Sequence, residues 1–159
     1  MKIEKIDNQN RIFINDFIEE QWHTTKMIIR GSEIDMTTAE GLVIFEDNKI
    51  IGLITYMFYD DVMEILSLDS LREKQGIGTA LLNETIAIAK EAECKKIVLI
   101  TTNDNINAIR FYQKRGFDMA HLYRNALDVS RKLKPEIPLV GENDIPLRHE
   151  LEFEFFLEK

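Results

Sequence analysis

Apolar positions along the chain switch between periods, and each switch marks a change of element. Residues 2–6 read as a short first strand. From Arg11 to Trp22, Ile12, Ile14, Phe17 and Ile18 recur at the spacing of an amphipathic helix. Residues 23–40 are polar and carry no clear period. Gly41 to Glu46 and Lys49 to Phe58 are two apolar runs rich in β-branched side chains around an Asp47-Asn48 pair, which predicts a hairpin. Tyr59-Asp60-Asp61 makes a second turn into Val62 to Leu68, a third antiparallel strand.

The period then lengthens. Between Gly76 and Ala92, residues Ile77, Leu81, Ile86 and Ala89, joined by Leu82 and Ile88, form a helical stripe. Lys96 to Thr101 is a near-continuous apolar run, the mark of a strand buried on both faces. Strand, helix and buried strand predict a right-handed βαβ crossover. A second helix is expected from about Asn105 to Arg115, ended by Gly116, with a strand from Phe117 to Tyr123. Pro135, Pro138 and Pro146 require loop or turn. Leu151 to Leu157 alternates as a last strand. The order predicts an α+β fold: a mixed, mostly antiparallel twisted sheet with a central βαβ crossover and helices on both faces.

A length of 159 residues fits one domain, 1–159, large enough to bury a core without staples. Apolar residues at 45% and charged residues at 30% are ordinary for a soluble globular chain. Cys94 is the sole cysteine, so no internal disulfide forms; its acidic neighbours disfavour a thiolate, and it reads as structural. That usage fits a reducing compartment. The N-terminal residues lack the apolar core of a signal peptide, and no stretch is long enough to span a bilayer, so a cytoplasmic protein is expected. A formal net charge of -8 disfavours nucleic acid and polyanionic partners and mildly favours a cationic one. His23, His121 and His149 lack metal-ligand spacing, and no metal is expected.

Two stretches carry chemistry. In Leu71-Arg72-Glu73-Lys74-Gln75-Gly76-Ile77-Gly78-Thr79, glycines at 76 and 78 leave main-chain N–H groups uncovered at a helix start. Those donors, with the helix dipole behind them, suit a pyrophosphate. Arg72 and Lys74 add local positive charge to an acidic chain. The same glycines can also simply open a tightly packed helix. No Gly-Lys-Ser/Thr follows, so this is not a Walker loop, and Leu81 breaks the dinucleotide fingerprint. The stretch from Ser70 to Leu82 resembles motif A of the GNAT acetyltransferases, Gln/Arg-X-X-Gly-X-Gly/Ala. In that family the loop amides hold the pyrophosphate of CoA, and the preceding strand splays to receive pantetheine. Gly76 and Gly78 match the pattern. Glu73 stands where the family has Gln or Arg, so Arg72 or Lys74 would have to supply the side-chain contact. The resemblance implies cofactor contacts from Leu68, Arg72, Glu73, Lys74, Gln75, Gly76, Ile77, Gly78 and Thr79.

The second stretch runs from Asn103 to Phe117. Asn103 or Asp104 can cap its helix and Gly116 can end it. Asn105, Ala108 and Tyr112 are three and four residues apart and share a helical face. A buried amide and phenol each need partners, which suits the flank of a polar cofactor arm. Equally, Asn105 can be a cap, with Tyr112 at the core edge and its hydroxyl in water. The stretch resembles GNAT motif B, Asn-X-X-Ala-X-X-Phe/Leu-Tyr-X-Lys-X-Gly-Phe, at each specified position from Asn105 to Phe117. The resemblance covers residues 40–123, with a CoA-binding core at about 60–117 and a variable tail at 125–159. It implies that Asn105 contacts the pantetheine arm, that Ala108 and Phe111 border the cofactor, and that Tyr112 lies near the thioester sulfur.

The activity so implied is acetyl transfer from acetyl-CoA, as co-substrate, to a primary amine of a small molecule or protein, by direct attack in a ternary complex. Holding both substrates together supplies much of the rate. A backbone N–H of a bulged strand around Leu68 would polarise the carbonyl, and Tyr112 would act as general acid. Glu64 is the expected general base, with Asp69 as an alternative; each can instead be a solvated surface carboxylate. Trp22 and His23 sit where family members line the acceptor side, although a core tryptophan is the simpler reading. The partners expected are an amine acceptor, no nucleic acid and no membrane, and a homodimer is compatible with the sequence. The alternative function is a catalytically idle acyl-CoA-binding sensor. Tyr112 favours the enzyme, and Glu73 leaves room for the sensor.

Overall fold

Asp47 and Asn48 both sit in the left-handed region, at φ 51° and 65°. That is the backbone of a two-residue hairpin turn, whose twist matches the flanking strands. The computed structural model describes residues 1–72 and 75–157. These divide into two units, the first holding Met1–Met27, Asp35–Ile97 and Leu157, the second Ile28–Ile34 and Val98–Phe156. Strands β1 (Ile3–Lys5) and β4 (Glu40–Glu46) to β9 (Glu150–Phe156) belong to a mixed sheet of seven strands. β2 (Lys26–Ile29) and β3 (Ser32–Asp35) pair as a separate ribbon, in the stretch whose sequence has no period.

In the first unit, β1, β4, β5 (Lys49–Tyr59) and β6 (Val62–Ser70) pair in that order, all antiparallel. The β5–β6 register shifts between Thr55 and Tyr56: Thr55 faces Ser67 and Tyr56 faces Ile65, so Leu66 is the extra residue of a bulge. Helix α2 (Ile77–Glu91) lies close against β5 because Gly52 lacks a side chain. A Cβ at Gly52 would come within 2.5 Å of Ile77 Cγ2 and 3.1 Å of Leu81 Cδ1. Ile77, Leu81, Leu82 and Ala89 are buried as expected. Ile86 and Ile88 are only half-buried, and Thr85 takes the buried position instead. Its hydroxyl is satisfied by donating to Leu81 O at 2.8 Å, so a threonine fits there without an orphaned group.

Helix α1 (Arg11–Trp22) has the expected bounds, but its stripe is narrower than expected. Ile14, Phe17 and Ile18 are buried, whereas Ile12 is 64% exposed. Trp22 is not in the core. It is 43% exposed, and its ring nitrogen is hydrogen-bonded.

The second unit takes β7 (Lys96–Thr102) from Val98 onward, then α3 (Ile106–Lys114), β8 (Asp118–Tyr123), α4 (Ala126–Leu133) and β9. Val98 and Leu99 are buried, as a continuous apolar run requires. β8 and β9 are antiparallel, with Ala120 the extra residue between Met119 and His121. Tyr112, Phe117, Leu127 and Phe153 are buried in this unit. Helix α4 was absent from the sequence expectation. Its eight residues bury only Leu127 and Ser130, too short a run to fix a helical period from sequence.

Candidate active site

Each unit presents its own part of the predicted chemistry, and both parts begin at a helix start. In the first unit, Leu71 N donates to Ile51 O at 2.9 Å as the chain leaves β6. Gly76 then takes φ 72° and ψ 14°, a left-handed conformation, and serves as N-cap of the fifteen-residue α2 without any side-chain cap bond. A Cβ at Gly76 would meet nothing within 4 Å. The glycine is therefore demanded by backbone conformation alone, and the space over this helix end is open. Main-chain donors at an uncapped helix start, aided by the dipole, are the donor set a pyrophosphate needs, so these residues fit the CoA phosphates.

The side chains around this turn are arranged less simply. Arg72 Nη1 pairs with Glu46 Oε1, two half-exposed groups whose attraction is mostly screened. The cation expected to serve phosphate is thus shared with a carboxylate of β4. Ile77 is 1% exposed, so its side chain belongs to the core. Gln75 is exposed, and Gly78 and Thr79 are half-buried on the first turn of α2. Glu73 and Lys74 lie outside the described residues.

On β6, Glu64 is 3% exposed, which removes the reading of a solvated surface carboxylate. Leu68 pairs with Ile54 in regular register, and the bulge lies at Leu66 rather than at Leu68. Asp69, half-buried, accepts a hydrogen bond from Trp22 Nε1 at 3.2 Å. Burial pushes the Asp69 carboxyl above its ordinary range, and the indole bond partly opposes that shift. No local pattern signals this contact, because its partners are far apart in sequence. Beside it, the buried hydroxyls of Thr55 and Ser67 bond to each other.

In the second unit, Asn105 stands before α3 rather than on its face, at φ -85° and ψ 73°. Its Oδ1 accepts from Ala108 N at 3.1 Å, so it is the N-cap, the alternative offered for it, in place of Asn103 or Asp104. The cap uses the amide oxygen and leaves the Nδ2 donors for a ligand. Ala108 and Phe111 are half-buried, and Arg115 lays its guanidinium 3.8 Å over the Phe111 ring. Tyr112 is 6% exposed and packs edge-to-face on Phe111 and Phe117, with ring centroids 5.2 and 5.4 Å away. Phe153 of β9 lies tilted at 6.4 Å. The tyrosine is therefore a buried side chain whose ring is fixed on several sides, not an edge residue with its hydroxyl in bulk water.

Asn103 and Asp104, anticipated only as caps, instead bond to the segment after α4. Asp104 is buried and accepts from Glu142 N at 2.8 Å, and Asn103 Oδ1 accepts from Arg148 N and His149 N at 3.0 and 2.9 Å. Among the described residues no group of His, Cys, Asp and Glu is arranged to hold a metal ion, and no helix is long and apolar enough to cross a membrane.

A model of the acetyltransferase (GNAT) family matches residues 7–117. Two Bacillus subtilis (strain 168) proteins, the uncharacterized proteins YxbD and YdhI, are 46% and 47% identical over 139 and 141 residues. The alignments cover 87% of both chains for YxbD and 88% of both for YdhI. A crystal structure of a GNAT family acetyltransferase from Elizabethkingia anophelis with acetyl-CoA bound is similar at a TM-score of 0.70. It is 22% identical, over 98% of this chain and 97% of that one.

Proposed function

Because the chain belongs to the acetyltransferase (GNAT) family, we propose that it transfers the acetyl group of acetyl-CoA to a primary amine of a small molecule or protein, by direct attack in a ternary complex. The observation that carries this reading is Tyr112, a buried phenol at the tyrosine position of motif B, held by Phe111, Phe117 and Phe153.

Acetyl-CoA supplies an activated acyl thioester. The uncapped amides that follow Gly76 hold its pyrophosphate, with Arg72 free to exchange Glu46 for phosphate at little cost. Asn105 offers Nδ2 to the pantetheine arm. A main-chain N–H of the bulged strand β6, in the stretch from Leu66 to Leu68, polarises the acyl carbonyl. Tyr112 Oη gives a proton to the departing sulfur, and a carboxylate of β6 takes the proton from the amine. Glu64 is the base in this scheme. Asp69, raised by burial, is the alternative for the same task.

A screen of amines and peptides with acetyl-CoA as donor and thiol release as readout tests the proposal. The unaltered chain should turn over at least one amine class, preferably a cationic one given the net charge of -8. Tight CoA binding with no turnover on any amine would instead identify the chain as an acyl-CoA sensor.

A further inference from the structure

The proline-bearing segment after α4 is tied at both of its ends. Leu139 to Leu147 fold back on themselves: Leu147 N donates to Leu139 O and Gly141 N to Ile145 O, both at 2.9 Å, and Val140 bridges Pro146. Arg131 of α4 holds the base of this small hairpin. Its Nη2 donates to the carbonyls of Pro138 and Leu147 at 2.6 Å each, and its Nε to Ile137 O at 3.2 Å.

The tip docks on Asp104. Glu142 N donates to Asp104 Oδ2 at 2.8 Å, and Asn143 Nδ2 to Asp104 O at 3.4 Å. The approach is close enough that a Cβ on Gly141 would lie 2.1 Å from Asp104 Oδ2. The other carboxylate oxygen accepts from Thr102 Oγ1. At 5% exposure and with both oxygens bonded, Asp104 cannot swing without orphaning a buried charge. Asn103 repeats the tie one residue earlier, its Nδ2 donating to Pro146 O at 2.9 Å. The residue after Asp104 is Asn105.

We infer that the hairpin at 139–147 is a strut that fixes Asn105 for the pantetheine arm of CoA, with Asp104 as the positioning residue. The inference rests on the reading that Asn105 serves pantetheine. A cap residue that must also present its amide nitrogen to a ligand gains affinity if its main chain is ordered beforehand, because that ordering need not be supplied on binding. The bonds that Asn103 and Asp104 make to residues 142–149 supply that order from a segment remote in sequence.

Two ligands separate positioning from general structure: CoA, and 3′-phospho-ADP, which carries the nucleotide and pyrophosphate without pantetheine. Calorimetry on the full chain should show Asp104→Ala weakening CoA about tenfold, the worth of one well-made hydrogen bond. The affinity for 3′-phospho-ADP should stay unchanged. Gly141→Ala should act the same way, since the three atoms nearest the added Cβ all belong to Asp104. Asp104→Asn should restore CoA affinity, because an amide can accept from Glu142 N and donate to Thr102 Oγ1. In the unaltered chain, CoA should slow hydrogen exchange at the Glu142 amide, a measurement that needs no variant to fold. Unchanged CoA affinity in Asp104→Ala, an equal loss of both ligands, or no slowing at Glu142 would each overturn the strut. CoA binding unaffected by Asn105→Asp would overturn the pantetheine reading itself, and the strut with it.

Discussion

Two helix starts in this protein are built in opposite ways. α2 begins at a glycine in a left-handed conformation, with no capping side chain and open space where a Cβ would be. α3 begins at an asparagine whose side chain closes the first turn, on a chain pinned by Asn103 and Asp104. An open start keeps its main-chain donors and positive dipole for an outside anion. A closed start spends a donor on itself and gains a fixed direction for the capping side chain. In a GNAT acetyltransferase that uses acetyl-CoA, the first design suits charge and the second suits aim.

The comparison can be broken or sharpened by substitution. The largest effect is expected beyond the closed start, at Tyr112. Tyr112→Phe keeps the ring packing and removes a proton donor, so turnover should fall by about 10² to 10⁴ with CoA affinity unchanged. Full activity on a confirmed acceptor would show that another group protonates the sulfur. At the open start, Gly76→Val should raise the Kd for CoA by roughly tenfold or more, since a β-branched residue resists the left-handed conformation. Gly76→Asn tolerates that conformation and points its Cβ into open space, so it should bind nearly as well. Equal damage from both substitutions would mean that bulk, not conformation, is what the turn excludes.

At the closed start, Asn105→Asp keeps the acceptor that caps α3 but loses the Nδ2 donors. Its melting temperature should hold while CoA weakens several-fold; Asn105→Ala should lose both, with about 1 kcal/mol of stability gone with the cap. A melting temperature that falls equally in the two variants would assign Asn105 to structure alone. The smallest effect concerns Asp69. Its native carboxyl titrates above the unfolded one, so the native state holds the extra proton between those two values and stability falls as pH rises through that window. Asp69→Asn should flatten this part of the melting-temperature profile. Trp22 is the only tryptophan, so its emission should follow the same titration and lose it in Asp69→Asn. Emission that titrates identically in the variant would place the responsible group elsewhere.

Much of the fold was legible because it rests on local rules. The Asp47-Asn48 turn, the bounds of α1 and the buried run of β7 all follow from period and turn chemistry. What was not legible depends on partners distant in sequence. Trp22 looked like core until Asp69 gave its ring nitrogen a reason to stay near the surface. Arg72 looked like a phosphate cation until Glu46 was found against it. α4 escaped notice because it is only eight residues long and buries one leucine and one serine, the latter satisfied by Ala126 O at 3.3 Å. Asn105 was open between a helical face and a cap because spacing alone cannot tell the last residue before a helix from the first within it.

The extra residue at Leu66 sets the phase of everything after it on β6. Paired residues on neighbouring strands share a face, and side chains alternate along each strand. With the bulge, Asp69 lies opposite Leu53, on the side away from α2, where Trp22 reaches it. Had Leu66 been paired with Thr55, each later residue would move one partner along, and Asp69 would lie opposite Gly52. Gly52 is the position over which Ile77 and Leu81 close, so the carboxylate would be pressed against hydrocarbon. One residue of slack thus works as a reading frame for the strand. A relative without it could keep an acid beside the indole only by writing that acid one position away in its sequence.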